Sequence, residues 1–348
     1  MLFIYGAYGY TGELVSRRAV ELGMKPILSG RNAERLAGLS RSLGLEQRPV
    51  ALDDSSALRR ALRGVSTVLH CAGPFVRTSA PMIDACLAAG VHYLDITGEI
   101  DVFEAAAGRD RAARDAKVTV LPGAGFDVVP SDCLALHLKR RLPSATRLTL
   151  GLRSGGRLSH GTATTMLEHA ERGCVVRRSG ELVALPLGSV RRSIDFGRGP
   201  VPAVAIAWGD VASAWRSTGI PDIEVFASLP KKLGRVVPWL MPLAGLARLG
   251  PVRRALQRHI DRRGPGPSAG ERSRSSCTLW GAAEDDDGRR VEARVHTPDG
   301  YTLTAQAALH LAAKVQRGEA PVGYQTPASA FGPDLVLELD GVSREELG

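Results

Sequence analysis

The residues best suited to chemistry come early: Gly6-Ala-Tyr8-Gly9-Tyr10-Thr11-Gly12 follows the apolar run Leu2-Phe-Ile-Tyr5 and opens a stretch of helical period from about Thr11 to Leu22. In a strand–turn–helix setting, glycines permit a tight turn and let backbone approach a pyrophosphate. The helix N-terminus then offers N–H groups and a positive dipole end. The spacing is GxxGxxG rather than the GxGxxG of classical dehydrogenases. A glycine-rich turn without a ligand is the plain alternative, and its place after the first strand argues against it. NAD sites carry an acid about twenty residues further on. Here that place holds Ser29-Gly30-Arg31-Asn32. A carboxylate would repel a 2′-phosphate, whereas the planar Arg31 guanidinium pairs with one. The expected cofactor is therefore NADP(H), with Arg35 one turn later as a helper.

Three further loops end strands on the same sheet edge. They are Cys71-Ala72-Gly73-Pro74-Phe75, His92-Tyr-Leu-Asp95-Ile-Thr-Gly-Glu99, and Leu121-Pro-Gly-Ala-Gly-Phe-Asp127-Val-Val-Pro-Ser-Asp132. The small residues of the first, Ala72 and Gly73 with Pro74 and Phe75, suit close approach of a dinucleotide. Hydride transfer needs orientation of the nicotinamide and a source of a proton. The acid–base candidates are Tyr93, Asp95, Glu99, Asp127 and His160. We take His160 as donor and Glu99 and Asp127 as positioning groups; the structural alternative for the acids is capping of loops or helices. No Tyr-x-x-x-Lys relay is present. The five cysteines, Cys71, Cys86, Cys133, Cys174 and Cys277, form no CxxC pair, so no metal site is expected and they read as reduced thiols.

The elements that must hold these residues alternate. Strands are expected at 2–5, 26–28, 50–52, 65–70, 92–95 and 118–121. Helices are expected at 11–22, 33–43, 55–62, 80–89, 102–116 and 131–141, the last with Ser131 as N-cap. Such alternation predicts a doubly wound parallel α/β sheet of Rossmann type. Beyond Pro130 the pattern becomes α+β, with a largely antiparallel sheet. Strands are expected at 146–152, 276–283 and 291–296, hairpin turns at Asp287-Gly288 and Asp299-Gly300, and a helix at 302–317. Gly264 to Ser273 reads as a mobile loop. The expected division is a Rossmann domain of residues 1–129 plus about 318–348, and an inserted substrate and dimerisation domain of residues 130–317.

Gly6–Gly12, Cys71–Phe75, Tyr93–Glu99 and Gly125–Asp132 resemble, in order, the signature blocks of the saccharopine dehydrogenase-like oxidoreductases, most of all the trans-acting enoyl reductase branch. Ser159-His-Gly-Thr162 and Gln325-Thr-Pro-Ala-Ser329 resemble two further blocks. His160 departs from the pattern, standing where relatives often have glycine. The resemblance implies an inserted α+β domain, NADP-linked redox chemistry and a homodimer formed through the second sheet.

The chain has 348 residues and a formal charge of +9, with the arginines dispersed and no run of five like charges. Nucleic-acid binding is not expected. No secretory leader and no long apolar run is apparent, so a cytoplasmic protein is expected. The apolar, Pro-broken segment Leu233–Leu246 is read as a core or cover element, with peripheral membrane contact as its alternative. Three functions remain open. One is NADPH-dependent reduction of an activated C=C bond in an acyl or polyketide thioester, small or carrier-bound. The second is a saccharopine-type C–N oxidation, with Arg153 and Arg157 clamping carboxylates. The third is a non-catalytic NADP-binding scaffold.

Overall fold

The computed structural model describes residues 1–157, 159–164, 173–229, 254, 257–258 and 264–347. The Leu233–Leu246 segment lies outside the described residues. Two compact units are present: Met1–Val129 with Tyr301–Asp340, and Pro130–Gly300 with Gly341–Gly348. Among the described residues no helix is long and apolar enough to cross a membrane.

In the first unit β1 (Leu2–Tyr5), β2 (Ile27–Gly30), β3 (Gln47–Pro49), β4 (Thr67–His70), β5 (His92–Asp95), β6 (Thr119–Leu121) and β15 (Gly323–Tyr324) form one sheet. Their order is β15-β6-β5-β4-β1-β2-β3. Every pairing is parallel. Strands β1, β2 and β4 are buried at every residue. This is why they read as unbroken runs rather than alternating ones: a parallel sheet is covered on both faces. The helices are α1 (Tyr10–Glu21), α2 (Ala33–Leu43), α3 (Ser55–Ala61), α4 (Phe75–Ala89), α5 (Ile100–Ala107) and α6 (Asp110–Asp115). Helix α2 shows how local sequence sets the bounds. The Asn32 side chain accepts the Arg35 N–H, and Gly44 closes the helix at φ 63°. On one sheet face Phe3, Tyr5, Val68, Tyr93 and Val120 pack with Leu58, Met82, Ile83 and Cys86.

The order reverses at β1. The chain builds outward through β2 and β3, then returns to lay β4 on the other side of β1. Such a switch point opens a crevice at the carboxyl ends of the two strands.

Details differ from the sequence expectation. The third strand lies at Gln47–Pro49, and Val50 and Leu52 pack into the core instead of continuing the ladder. The expected helix 102–116 is two helices, broken where Gly108 caps α5 and Arg109 turns to pair with Asp84 of α4 at 2.8 Å.

The second unit holds a largely antiparallel sheet of β7 (Arg147–Ser154), β8 (Cys174–Arg178), β9 (Glu181–Leu185), β10 (Arg191–Asp195), β11 (Pro200–Ala205), β12 (Asp222–Ser228), β13 (Ser276–Glu284), β14 (Arg290–Pro298) and β16 (Ser343–Glu346). Among the described residues only β12 and β7 run parallel. Helix α7 (Val129–Arg141) lies on one face, where a Cβ on Gly281 would come within 2.8 Å of Leu138. Trp280, Ala282, Phe226 and Ile194 form the core of the other face. Asp287-Gly288 is a hairpin turn between β13 and β14, with Gly288 at φ 79°.

Other expectations here are corrected. Asp299-Gly300 leads into a helix, not a hairpin, and α7 starts at Val129, before Ser131. Strands β8 to β12 and the helix α8 (Asp210–Thr218) were not expected. Within the loop expected to be mobile, Ser268 and Glu271 form a capping box that starts the short helix α9 (Ala269–Ser273). The helix α10 (Gly300–Gln316) groups from Tyr301 onward with the first unit. There the Thr304 hydroxyl accepts the Phe126 N–H at 3.0 Å. Residues 341–348 group instead with the second unit, where β16 pairs with β14.

Candidate active site

The glycine turn closes on itself at the end of β1. Gly6 has φ 80°, and a Cβ there would stand 2.8 Å from the Ala72 nitrogen and Cβ. The loops after β1 and β4 therefore meet backbone to backbone at the switch point. A Cβ on Gly12 would lie 2.2 Å from the Gly6 oxygen, which no relaxation of a side chain could relieve. Gly9 is the N-cap of α1, and no side chain caps the helix. No N-cap side chain therefore competes at that first turn with an acceptor from outside the helix. The cradle is bare backbone at a helix N-terminus, which fits a pyrophosphate.

Arg31 is exposed just past β2, and its side chain has no ion pair or hydrogen bond among the described residues. Arg35 is held. Its guanidinium lies 4.8 Å from the Tyr8 ring centroid and donates to the Tyr8 carbonyl at 3.3 Å. The Tyr8 hydroxyl accepts the Asn32 N–H at 3.1 Å, and the ring crosses Gly30, where a Cβ would meet it at 2.5 Å. Tyr8 therefore docks on the end of β2 and holds Arg35 against it, one turn beyond Arg31. Tyr10 packs edge-on against Tyr301, with centroids 5.1 Å apart. Thr11 is half-buried in the first turn.

Past β4, Ala72 and Pro74 are half-buried, Gly73 is exposed, and Phe75 is buried as the first residue of α4. Glu99 is buried and accepts the N–H groups of Phe75 and Val76 at 2.8 and 2.7 Å. Its carboxylate caps α4, so both oxygens have partners. Asp95, at the end of β5, is buried as well. It accepts the N–H groups of Thr97 and Gly123, each at 3.0 Å, and the Tyr93 hydroxyl at 2.7 Å. Burial pushes its carboxyl up to about 6 against the pull of those donors. Burial also raises the Cys71 thiol to about 12 and lowers His70 to about 3, leaving both neutral.

Asp127 differs from both. It is half-buried beside Gly98, where a Cβ would stand 2.9 Å from its carboxylate oxygen, and no described residue bonds its carboxyl. Desolvation without a compensating donor pushes it up to about 7. His160 belongs to the second unit, where its N–H donates to Pro265 at 3.0 Å, and Glu99 and Asp127 belong to the first. Arg157, also in the second unit, donates to the Gly266 carbonyl.

Residues 2–121 match the family model described as the saccharopine dehydrogenase NADP-binding domain. Over this stretch the chain resembles the saccharopine dehydrogenases, and it is an NADP-dependent oxidoreductase. It is 26% identical to a trans-acting enoyl reductase of Mycobacterium ulcerans, over 97% of this chain and 95% of that one. It is 27% identical to the protein of the same name from Mycobacterium tuberculosis, over 98% and 95%. Among solved structures, saccharopine dehydrogenase (L-Glu forming) of Saccharomyces cerevisiae superposes with a TM-score of 0.68 at 9% identity, over 100% of this chain and 99% of that one. A homospermidine synthase of Legionella pneumophila in complex with NAD gives 0.65 at 9%, over 99% and 91%. At such identity these share the fold: a Rossmann sheet and a second, largely antiparallel sheet.

In this NADP-binding domain two features were not expected from the sequence: the role of Gly30, which only the Tyr8 docking explains, and the chain of bonds from Asp95 to Glu99. The signal for the latter was a carboxylate at a strand end followed by Thr and Glu at two-residue steps, a local pattern that also occurs in plain loop caps.

Proposed function

We propose that the chain reduces an activated C=C bond of an acyl or polyketide thioester with NADPH, as a step of lipid biosynthesis. The observation that carries this reading is the relationship to trans-acting enoyl reductases along almost the whole chain. The relatives' "trans-acting" supports a substrate presented by a separate synthase.

In this reading Gly6, Gly9 and Gly12, with Tyr10 and Thr11 in the same turn, hold the pyrophosphate. Arg31 takes the 2′-phosphate, and Tyr8 with Arg35 lines the adenosine side. Ala72, Gly73, Pro74 and Phe75 border the nicotinamide end. When bound, NADPH supplies the hydride that adds to the β-carbon of the enoyl thioester. Asp127 delivers the proton to the α-carbon: a carboxyl raised to about 7 still carries its proton near neutrality. The C=C π-bond breaks, two C–H bonds form, and the products are NADP⁺ and the saturated thioester. In this reading Glu99 serves as the cap of α4, and the donor role expected of His160 falls to Asp127.

The test is NADPH oxidation on addition of α,β-unsaturated pantetheine or carrier-protein thioesters, with saccharopine and NADP as the comparison. Turnover of the enoyl thioester, lowered at least about tenfold in Asp127→Asn and spared in His160→Asn, supports the reading. Turnover of saccharopine alone overturns it.

A further inference from the structure

Asp95, Thr97 and Glu99 are buried, with exposures of 0, 0 and 4%. They are joined in series. The Asp95 carboxylate accepts the Thr97 N–H at 3.0 Å, the Thr97 hydroxyl accepts the Glu99 N–H at 3.1 Å, and the Glu99 carboxylate accepts Phe75 and Val76 at 2.8 and 2.7 Å. The same Asp95 accepts Gly123 N–H at 3.0 Å, and its backbone carbonyl accepts Ala124 N–H at 2.6 Å. One run of bonds therefore ties the loop after β4, the loop after β5 and the loop after β6, the last of which carries Asp127.

The location follows from the topology. Arg31 lies past β2, on one side of β1, and the glycine turn lies over β1. A dinucleotide laid across the switch point with its 2′-phosphate at Arg31 must place its other half over the ends of β4, β5 and β6. These are the strands whose loops the three residues join.

The energetics argue against a purely stabilising role. Neither Asp95 nor Glu99 has a cation partner among the described residues, and both carboxylates depend on N–H and O–H donors alone. Burying charge on such terms is costly, and apolar packing would hold three loops more economically. Departures of this kind from the cheapest packing concentrate where geometry matters to function.

We propose that Asp95, Thr97 and Glu99 form a strut that sets the Cys71–Phe75 loop and the Asp127 loop at a fixed spacing around the nicotinamide, making Thr97 and Asp95 positioning residues for hydride and proton transfer. The proposal rests on the cofactor placement given under Proposed function and does not depend on the acceptor being an enoyl thioester.

Thr97→Val removes the hydroxyl at nearly constant volume and leaves the glycine turn and Arg31 untouched. The experiment compares wild type, Thr97→Val, Thr97→Ser and Tyr93→Phe by NADPH titration, nicotinamide fluorescence of the bound cofactor, and steady-state kinetics. The expected result for Thr97→Val is an NADPH Kd within about twofold of wild type, a changed emission of the bound nicotinamide, and a kcat lowered about tenfold to a hundredfold at little-changed KM. Thr97→Ser restores both emission and kcat. Tyr93→Phe, which deletes only one donor to Asp95, shows the same pattern more weakly and serves if Thr97→Val does not fold. Emission unchanged from wild type in Thr97→Val and Tyr93→Phe, or a loss that Thr97→Ser fails to restore, overturns the strut. A wild type that reduces no enoyl thioester while Thr97→Val still shifts the emission leaves the strut standing and removes the proposed acceptor.

Discussion

Asp127→Asn should make the protein more stable at pH 8 while leaving its stability near pH 4 unchanged. The carboxyl is half-buried, has no donor to it among the described residues, and is raised from 3.8 to about 7 by loss of water. An acid with a raised folded-state pKa favours folding in its protonated form. Its contribution is therefore full below pH 3.8 and is lost as pH climbs through about 7. About three units at 1.36 kcal/mol each give roughly 4 kcal/mol. Because the side chain keeps some contact with solvent, about half of that, roughly 2 kcal/mol, is the better expectation. Asparagine has the same shape and never ionises, so it escapes the loss. In a unit of this size 2 kcal/mol corresponds to a melting point higher by about 4 to 8 °C. The assay is urea unfolding of both proteins at half-unit steps of pH. Asp95, raised to about 6, contributes a slope of the same sign in both, and the wild-type-minus-variant difference cancels it. Equal slopes in the two proteins, or an asparagine variant less stable at pH 8, would refute the claim that Asp127 is an uncompensated acid.

Other outcomes follow from the same geometry. Arg31→Ala should weaken NADPH binding about tenfold to a hundredfold and leave NADH binding unchanged, as read by fluorescence titration, because only the 2′-phosphate distinguishes the two. Gly12→Ala puts a methyl 2.2 Å from the Gly6 oxygen, so NADPH binding should fall below detection by calorimetry. Gly30→Ala collides with the Tyr8 ring and should loosen Arg35, lowering NADPH affinity by less than Arg31→Ala does. Glu99→Gln turns an amide toward the two N–H donors of α4 and should cost about 1 to 3 kcal/mol in urea unfolding.

Much of the first unit was legible because a parallel sheet leaves plain marks. Its buried strands are continuous apolar runs, and the helices between them carry caps such as Asn32 and Asp54. The glycine turn was legible for a stronger reason: the backbone contacts at Gly6 and Gly12 exclude any side chain, so chemistry and sequence coincide there. The second unit was harder. Strands β9 and β10 are mostly exposed, so they lack an apolar face to betray them. Their neighbour turn, Ser179-Gly180 at φ 48 and 83°, did carry a hairpin signal that the reading passed over. The grouping of α10 from Tyr301 onward with the first unit depends on contacts such as Thr304 with Phe126, 178 residues apart, and no local pattern encodes it. The site was read at the level of loops but not of roles. Glu99 and Asp127 are both acids in the same neighbourhood, and only their hydrogen-bond partners separate a helix cap from a candidate proton donor.

The central claim is that hydride passes from NADPH to a carbon–carbon double bond. The direct test is to incubate the protein with NADPH deuterated at the transferable position of nicotinamide C4, together with an α,β-unsaturated acyl thioester, and to take the mass spectrum of the product. The account predicts a saturated thioester carrying one deuterium on its β-carbon, formed in step with NADP⁺. Recovery of the unsaturated thioester unchanged, with the cofactor bound but unoxidised, would contradict it.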